Sequence, residues 1–468
     1  MNETLLLTIL LGIGSIAITR LLNRAWVSAS LAYWGAWVFV LACYAYSETQ
    51  AVTAQSFGRV PIASEGTFEL IRQAHWGAFI GFLIGSLLGG RIPRSASAAQ
   101  RFIAMEVLLR RHFKHAIALL FMIGLVQLIE RLFMVGVNLP TLYLDIRLSY
   151  LTNSLTPFGR VASYLTTASP VLAIMLGMSD ASSRVRFRRL LLLTIAVAPF
   201  GLSMGGRGFL LGILLPYGAS FLLFYELTPS RRRLIRLVSR VVLYISCAVL
   251  VFAAIGEWRY GSTTRADAQE ETFVERSVDQ FVSYFAVSIP AVEPVATTLA
   301  SQVPLGLGRD LFEWPTLQLE RIGLLQGSRS SELASLKPML VKEYGILAFA
   351  PPTLIPLLVG DFGFSFMPFY MAILMALCQV ATIRLRGTRL LGQVIGTLAL
   401  LAALQTVQTN AFLQAGNSLA ILWTLLIATV IQRLKKQLRS ANGWSASGPV
   451  ARRSPSQARL PESTTQVS

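Results

Sequence analysis

Apolar residues along this chain come in long blocks separated by short polar stretches. The first blocks are about Thr4–Thr19, Ala25–Tyr46, Ile71–Gly90, His115–Val137, Pro157–Met178, Leu190–Leu202 and Phe209–Tyr225, and another runs up to Gly256. Phe364–Ile383, Leu390–Val407 and Phe412–Ile431 follow late in the chain. Most of these reach or approach the ~20 residues that cross a bilayer as a helix. The pattern predicts an all-α, polytopic integral membrane protein with about eleven transmembrane helices. Residues 257–362 break the pattern. Val278–Ala300 is moderately apolar but carries Pro290 and Pro294, and Leu340–Gly360 carries Pro351, Pro352 and Pro356. Both read as short, interfacial or re-entrant helices within one large extracytoplasmic loop. The expected layout is a membrane domain over 1–256, the large loop over 257–362, C-terminal spans over 363–432, and a basic, mostly disordered cytoplasmic tail over 433–468.

Composition agrees with this layout. The 468 residues are 54% hydrophobic and 14% charged, against about 25% charged in soluble domains. The N-terminus, Met-Asn-Glu, lacks a basic leader region, so Thr4–Thr19 reads as an uncleaved first span. Cys43, Cys247 and Cys378 all lie in apolar blocks with no metal or disulfide spacing.

The net charge of +18 is not evidence for nucleic-acid binding, because the excess lies in short loops between spans, where the positive-inside rule puts it. Basic loops alternate with neutral ones, which places residues 20–24, 91–114, 179–189 and 227–240 in the cytoplasm. Residues 47–67, 138–156 and 203–208 then lie outside. The large loop holds 13 of the 23 acidic residues and 8 of the 41 Lys and Arg, a net charge of −5. It belongs on the outer side as well.

One outer turn carries candidate chemistry. Ser203-Met-Gly-Gly-Arg-Gly208 joins two apolar blocks. The helix N-terminus after it offers unsatisfied N–H groups and a positive dipole end. Gly205, Gly206 and Gly208 let a ligand approach the backbone. The Arg207 guanidinium presents a fork that fits phosphate oxygens. Arg207 lies on the face opposite the basic loops, so simple positive-inside anchoring does not account for it. Arg259, Arg265 and Arg309, the last in Gly306-Leu-Gly-Arg309, extend the same outer theme. Two readings stay open for Arg259 and Arg265: an anion clamp, or ion pairing with neighbours such as Glu257 and Asp267. Trp258 and Trp314, with Tyr260 and Tyr344, are aromatic candidates for ligand stacking or for interfacial anchoring in the same loop. Glu130 and Arg131 sit in the outer third of a span, where charges are functional by default. Adjacent helix residues do not face each other, so each needs a different partner. His75, within a span, reads as a packed helix histidine. No nucleotide-binding loop, zinc-protease motif or nucleophile elbow is present, so no metal and no cofactor are expected.

Leu202-Ser-Met-Gly-Gly-Arg-Gly-Phe-Leu-Leu-Gly-Ile-Leu214 resembles the Ser/Gly-rich, single-Arg turn of bacterial O-antigen and capsule repeat-unit polymerases. Asp361-Phe-Gly, ahead of Phe364–Ile383, is similar to that family's second signature, and a long outer loop between the two is similar too. The resemblance covers roughly residues 190–380, and the family's usual even number of spans differs from the odd count predicted here. It implies a glycosyltransferase of the bacterial inner membrane, multi-pass, with its active site facing the periplasm. The implied substrate is a polyprenyl-pyrophosphate-linked oligosaccharide, polymerised into O-antigen, capsule or exopolysaccharide. Expected partners are membrane lipid, a chain-length regulator and a flippase, without nucleic acid. Arg207 would stabilise the leaving pyrophosphate, and Asp361, Glu343 or Glu257 would activate the acceptor hydroxyl. An O-antigen ligase is disfavoured because residues 257–362 hold no histidine, and a flippase because no internal symmetry is visible.

Overall fold

The computed structural model describes residues 1–49, 53–54, 58–91, 97–136, 157–179, 181–203, 208–226, 273–302, 305–307, 309, 353–385, 390–407, 420–427 and 429. The first helices are α1 (Asn2–Asn23), α2 (Ala29–Thr49), α3 (Glu65–Gly89) and α4 (Ser97–Val135). A two-residue antiparallel pairing of Thr53–Ala54 with Gly58–Arg59 lies between α2 and α3. Next come α5 (Pro157–Thr166), α6 (Ser169–Gly177), α7 (Ser183–Ser203) and α8 (Gly208–Glu226). The loop region contributes α9 (Phe273–Ala286), α10 (Val292–Gln302) and α11 (Leu354–Phe362), followed by α12 (Met367–Arg384) and α13 (Leu390–Gln405).

Burial in α1 runs opposite to that of a soluble helix. Its inward face is Thr4, Thr8, Ser15, Thr19 and Asn23, while Leu6, Leu10, Ile13 and Leu21 point outward. Leu87 and Leu88 of α3, Leu119 and Phe133 of α4, and Phe369 and Leu377 of α12 are exposed in the same way. Apolar side chains outside and hydroxyls inside suit a hydrocarbon solvent, where helix association depends on close packing and interhelical hydrogen bonds. Among the described residues, Asn2–Asn23, Ala29–Thr49, Glu106–Val135 and Met367–Arg384 are long and apolar enough to cross a membrane.

α3 and α12 pack along a glycine seam. Gly77, Gly81, Gly85 and Gly89 recur every four residues and face Pro368, Ala372, Ala376 with Gln379, and Ile383 in turn. The matched order makes the two helices parallel. Beside the seam, the Gln379 side-chain amide donates to Thr19 (2.8 Å) and Ser86 (3.0 Å), and its oxygen accepts from the Ser30 N–H (3.2 Å). Asn23 donates to the Ser86 and Gly90 carbonyls, both at 2.7 Å. These bonds tie α1, α2, α3 and α12 together at a polar centre. α1 runs with α3, since Arg72 reaches Thr4 and Thr19 reaches Ser86, and α2 runs against both. One end of the bundle therefore gathers Met1, Thr49, Ser64 and Gly363. Asn23, Gly90 and Arg384 gather at the other.

Three boundaries differ from the sequence expectation. The block Pro157–Met178 is two helices, because Thr167 and Ala168 bond back to Tyr164 and Leu165 and Pro170 has no N–H to continue the ladder. α7 is 21 residues, starting within the arginine-rich stretch, where a short helix from Leu190 is expected. α4 begins at Ser97, so much of the expected basic loop 91–114 is helical. Its 39 residues span about 58 Å at 1.5 Å per residue, well beyond a ~30 Å hydrocarbon core. The charged extension is held by Glu106, which accepts two bonds from Arg189 of α7 (2.8 and 3.0 Å) and one from Arg110 (3.0 Å).

Residues 1–424 form one compact unit and residues 425–468 a second. Within the second, the Thr429 hydroxyl donates to the Leu425 carbonyl at 2.8 Å, a helical contact.

Candidate functional site

The sequence signatures around Arg309 and Asp361 meet at the end of α11. Ordinarily the last carbonyls of a helix lack partners. Here the Gly306 N–H donates to the Gly360 carbonyl (3.0 Å) and the Leu307 N–H to the Asp361 carbonyl (2.9 Å). The Arg309 N–H donates to the Gly306 carbonyl (3.1 Å), closing a tight turn in which Leu307 is left-handed. Asp361 is fully buried and Arg309 half-buried. α11 then ends on Gly363, whose φ of 80° suits a residue without a Cβ. Its start is fixed too, by the Leu354 N–H on the Thr406 carbonyl beyond α13 (2.9 Å). Asp361 thus sits at the end of a short helix of its own, not at the start of the span that follows. A buried carboxyl beside a guanidinium-bearing turn can take up a proton and hold an anion at one place.

Gly208 is the first residue of α8, and α7 ends at Ser203, whose hydroxyl donates to the Phe200 carbonyl (2.7 Å). Gly205, Gly206 and Arg207, which join these helices, lie outside the described residues. So do Trp258, Arg259, Arg265, Trp314 and Glu343, together with Glu257, Tyr260 and Tyr344.

The same end of the bundle as Asp361 is acidic. The Ser64 hydroxyl caps α3 by accepting from the Thr67 N–H (3.1 Å) and donates to the Glu293 carboxylate of α10. That carboxylate lies against Gly66 in the first turn of α3, where the positive dipole end favours it. Glu65 and Glu69 both receive Arg72 at 2.8 Å. The Arg72 guanidinium holds the exposed Glu69 carboxyl below its ordinary value. Arg20, Arg24, Arg91 and Arg384 lie at the opposite end, through α1, α3 and α12.

A second polar place is inside the bundle, on α4. Arg131 is 1% exposed and Gln127, one turn earlier on the same face, 2%. This face points to α7: at Gly124 a Cβ would touch the Phe200 nitrogen at 3.1 Å. Glu130 points elsewhere, to Gly159 of α5, where a Cβ would meet its carboxylate at 2.6 Å. The two adjacent charges thus face different helices, as helix geometry requires. Sequence reading missed Gln127, because one amide in an apolar block carries no spacing signal. His75 is a packed residue: Tyr33 meets its Nδ1 at 3.0 Å, and Trp34 and Trp37 flank the ring. Among the described residues no three His, Cys, Asp or Glu side chains converge as metal ligands.

No protein-family model matches the chain, and no curated protein or solved structure matches it.

Proposed function

We propose that this protein is a membrane glycosyltransferase that polymerises polyprenyl-pyrophosphate-linked oligosaccharide repeat units at the outer face of a bacterial inner membrane. The full reading has about eleven spans and a large outer loop over 257–362. The observation that carries it is the junction of Gly306–Arg309 with Asp361, a cation-bearing turn joined to a buried carboxyl at the acidic end of the bundle. In the proposed step, the acceptor sugar hydroxyl attacks the anomeric carbon of the donor glycan. Its proton passes to a carboxylate, for which Asp361 is the described candidate. The bond between anomeric carbon and pyrophosphate oxygen breaks, and the electron pair leaves with the lipid pyrophosphate. Arg207, supported by Arg259 and Arg265, stabilises that charge as it develops. Glu343 is the alternative base, and Trp258 and Trp314 hold the sugars.

The test is purified protein with a synthetic lipid-linked repeat unit and no nucleotide sugar. Wild type should elongate it. Arg207→Lys should lose 10²–10³ in rate, of the order expected for one transition-state contact, because lysine keeps the charge without the planar fork. Near-wild-type elongation by Arg207→Lys would remove the clamp. Transfer of the glycan to a lipid A core acceptor, without elongation, would make the protein a ligase.

A further inference from the structure

We infer that the buried face of α4 bearing Gln127 and Arg131 is a second anion subsite, which holds the pyrophosphate headgroup of a lipid-linked substrate inside the outer half of the membrane domain. This rests on the polymerase reading and adds a contact to it. Three observations carry it.

The first is burial. A guanidinium in the outer third of a membrane-spanning helix, 1% exposed, is a costly group that bundles keep for a reason. The second is Gln127. Its Oε1 is buried and has no hydrogen-bond partner among the described residues, although buried amides in folded proteins nearly always find one. It lies one turn from Arg131 on the same face, so both side chains address one place. An amide that turns its N–H₂ toward a phosphate oxygen and a fork that grips two more make a phosphate-type donor set.

The third is depth. Glu106 meets Arg189 and Gly124 meets Phe200, so α4 and α7 run in the same direction. From Gly124 to Arg131 is about 10 Å along α4, and from Phe200 to the end of α7 at Ser203 about 4.5 Å. Arg131 therefore stands roughly 5 Å past the end of α7 at Ser203. Lower on the same helix pair, an apolar groove of about 370 Å³ lies between Phe113, Ile117 and Phe121 of α4 and Leu192 and Ile195 of α7. It would take the prenyl tail of the same molecule.

The experiment measures the melting temperature of the purified full-length protein with farnesyl pyrophosphate, and with farnesol or inorganic pyrophosphate as controls. Farnesyl pyrophosphate should stabilise wild type, and farnesol should not. Gln127→Leu should keep the basal melting temperature or raise it, since it removes an unpaired buried amide, yet need about tenfold more farnesyl pyrophosphate for the same shift. Arg131→Met should lose the shift. An unchanged farnesyl pyrophosphate midpoint in Gln127→Leu overturns the subsite, and so does a wild type that the ligand does not stabilise. A lower basal melting temperature in Arg131→Met with an unchanged midpoint makes Arg131 half of a structural ion pair and also overturns it. Binding that depends on both residues, without elongation of a lipid-linked repeat, leaves the subsite standing and removes the polymerase reading. Elongation by wild type with Gln127→Leu unaffected does the reverse.

Discussion

Gly85→Ala should loosen the bundle at its polar centre. A Cβ there would sit 2.6 Å from the Gln379 Cβ and 2.7 Å from the Ala376 carbonyl oxygen. Ordinary carbon–carbon contact needs about 3.5–4.0 Å and C–H···O contact about 3.3 Å. The seam must therefore open locally by roughly 0.6–1 Å, and a gap of that size forfeits a quarter to a half of each neighbouring contact. Overpacking of this kind costs about 1–3 kcal/mol. The strain also moves Gln379, whose amide bonds reach Thr19, Ser86 and Ser30. Gly35 is the control: it is exposed on α2 and an added Cβ meets nothing within 4 Å. Gly35→Ala should stabilise by about 0.5–1 kcal/mol through helix propensity alone. The two alanine variants should thus separate by about 2–4 kcal/mol. Thermal unfolding of purified protein in detergent, followed by size-exclusion fluorescence, reads the difference. A Gly85→Ala protein that melts with wild type would refute the close approach of α3 to α12.

Two further outcomes follow from buried polar contacts. Gln379→Leu removes three interhelical bonds, each worth about 0.6 kcal/mol in a membrane bundle, and should cost about 1–2 kcal/mol in the same melting assay; an unchanged melting temperature would refute a stabilising role for the network. Glu106→Gln leaves the mostly buried Arg189 without its counter-charge and should cost about 3 kcal/mol, whereas the double variant Glu106→Met with Arg189→Met should recover most of it; equal losses in both would show that the pair is not coupled.

Hydropathy located α1, α2, α4 and α12, the described helices long and apolar enough to cross a membrane, because their outward side chains are apolar whatever their neighbours do. It could not find their ends. The α5–α6 break falls at Thr166-Thr-Ala-Ser-Pro170, a short polar interruption in the block Pro157–Met178 that reads as one span. The extension of α4 to Ser97 depends on Ala, Gln, Glu, Leu and Arg, which favour helix but lower hydropathy. Polar contacts were harder still. Thr4, Thr8, Ser15 and Thr19 look incidental in an apolar run, and only packing makes them the inward face of α1. Sequence reading missed the four-residue recurrence of Gly77, Gly81, Gly85 and Gly89, which only the packing against α12 marks as a close-packed seam. The Gly306–Arg309 turn and Asp361 were each visible as candidates. Their union was not, because backbone bonds between distant segments leave no trace in residue type.

The polar groups inside the bundle fall into two kinds, and the division bears on where substrate binds. Glu106 is satisfied by Arg189 and Arg110, and Gln379 by three partners on three helices. Each of these joins its helix to others, so assembly alone accounts for it. Among the described residues Gln127 joins nothing through its oxygen, although it is as deeply buried as they are. An apolar residue at that position would pack at least as well and would spare the desolvation of an unpaired amide. The cost is understandable if the amide meets a ligand that the free protein does not contain. Its place one turn from Arg131 puts that ligand near the end of α7 at Ser203, away from the Glu106–Arg189 pair. A lipid-borne anion can reach this depth from the membrane side because the exposed Phe133 and Met134 of α4 already face lipid. A ligand whose phosphate arrives on a hydrocarbon tail would reach this buried face from the side on which α4 meets lipid.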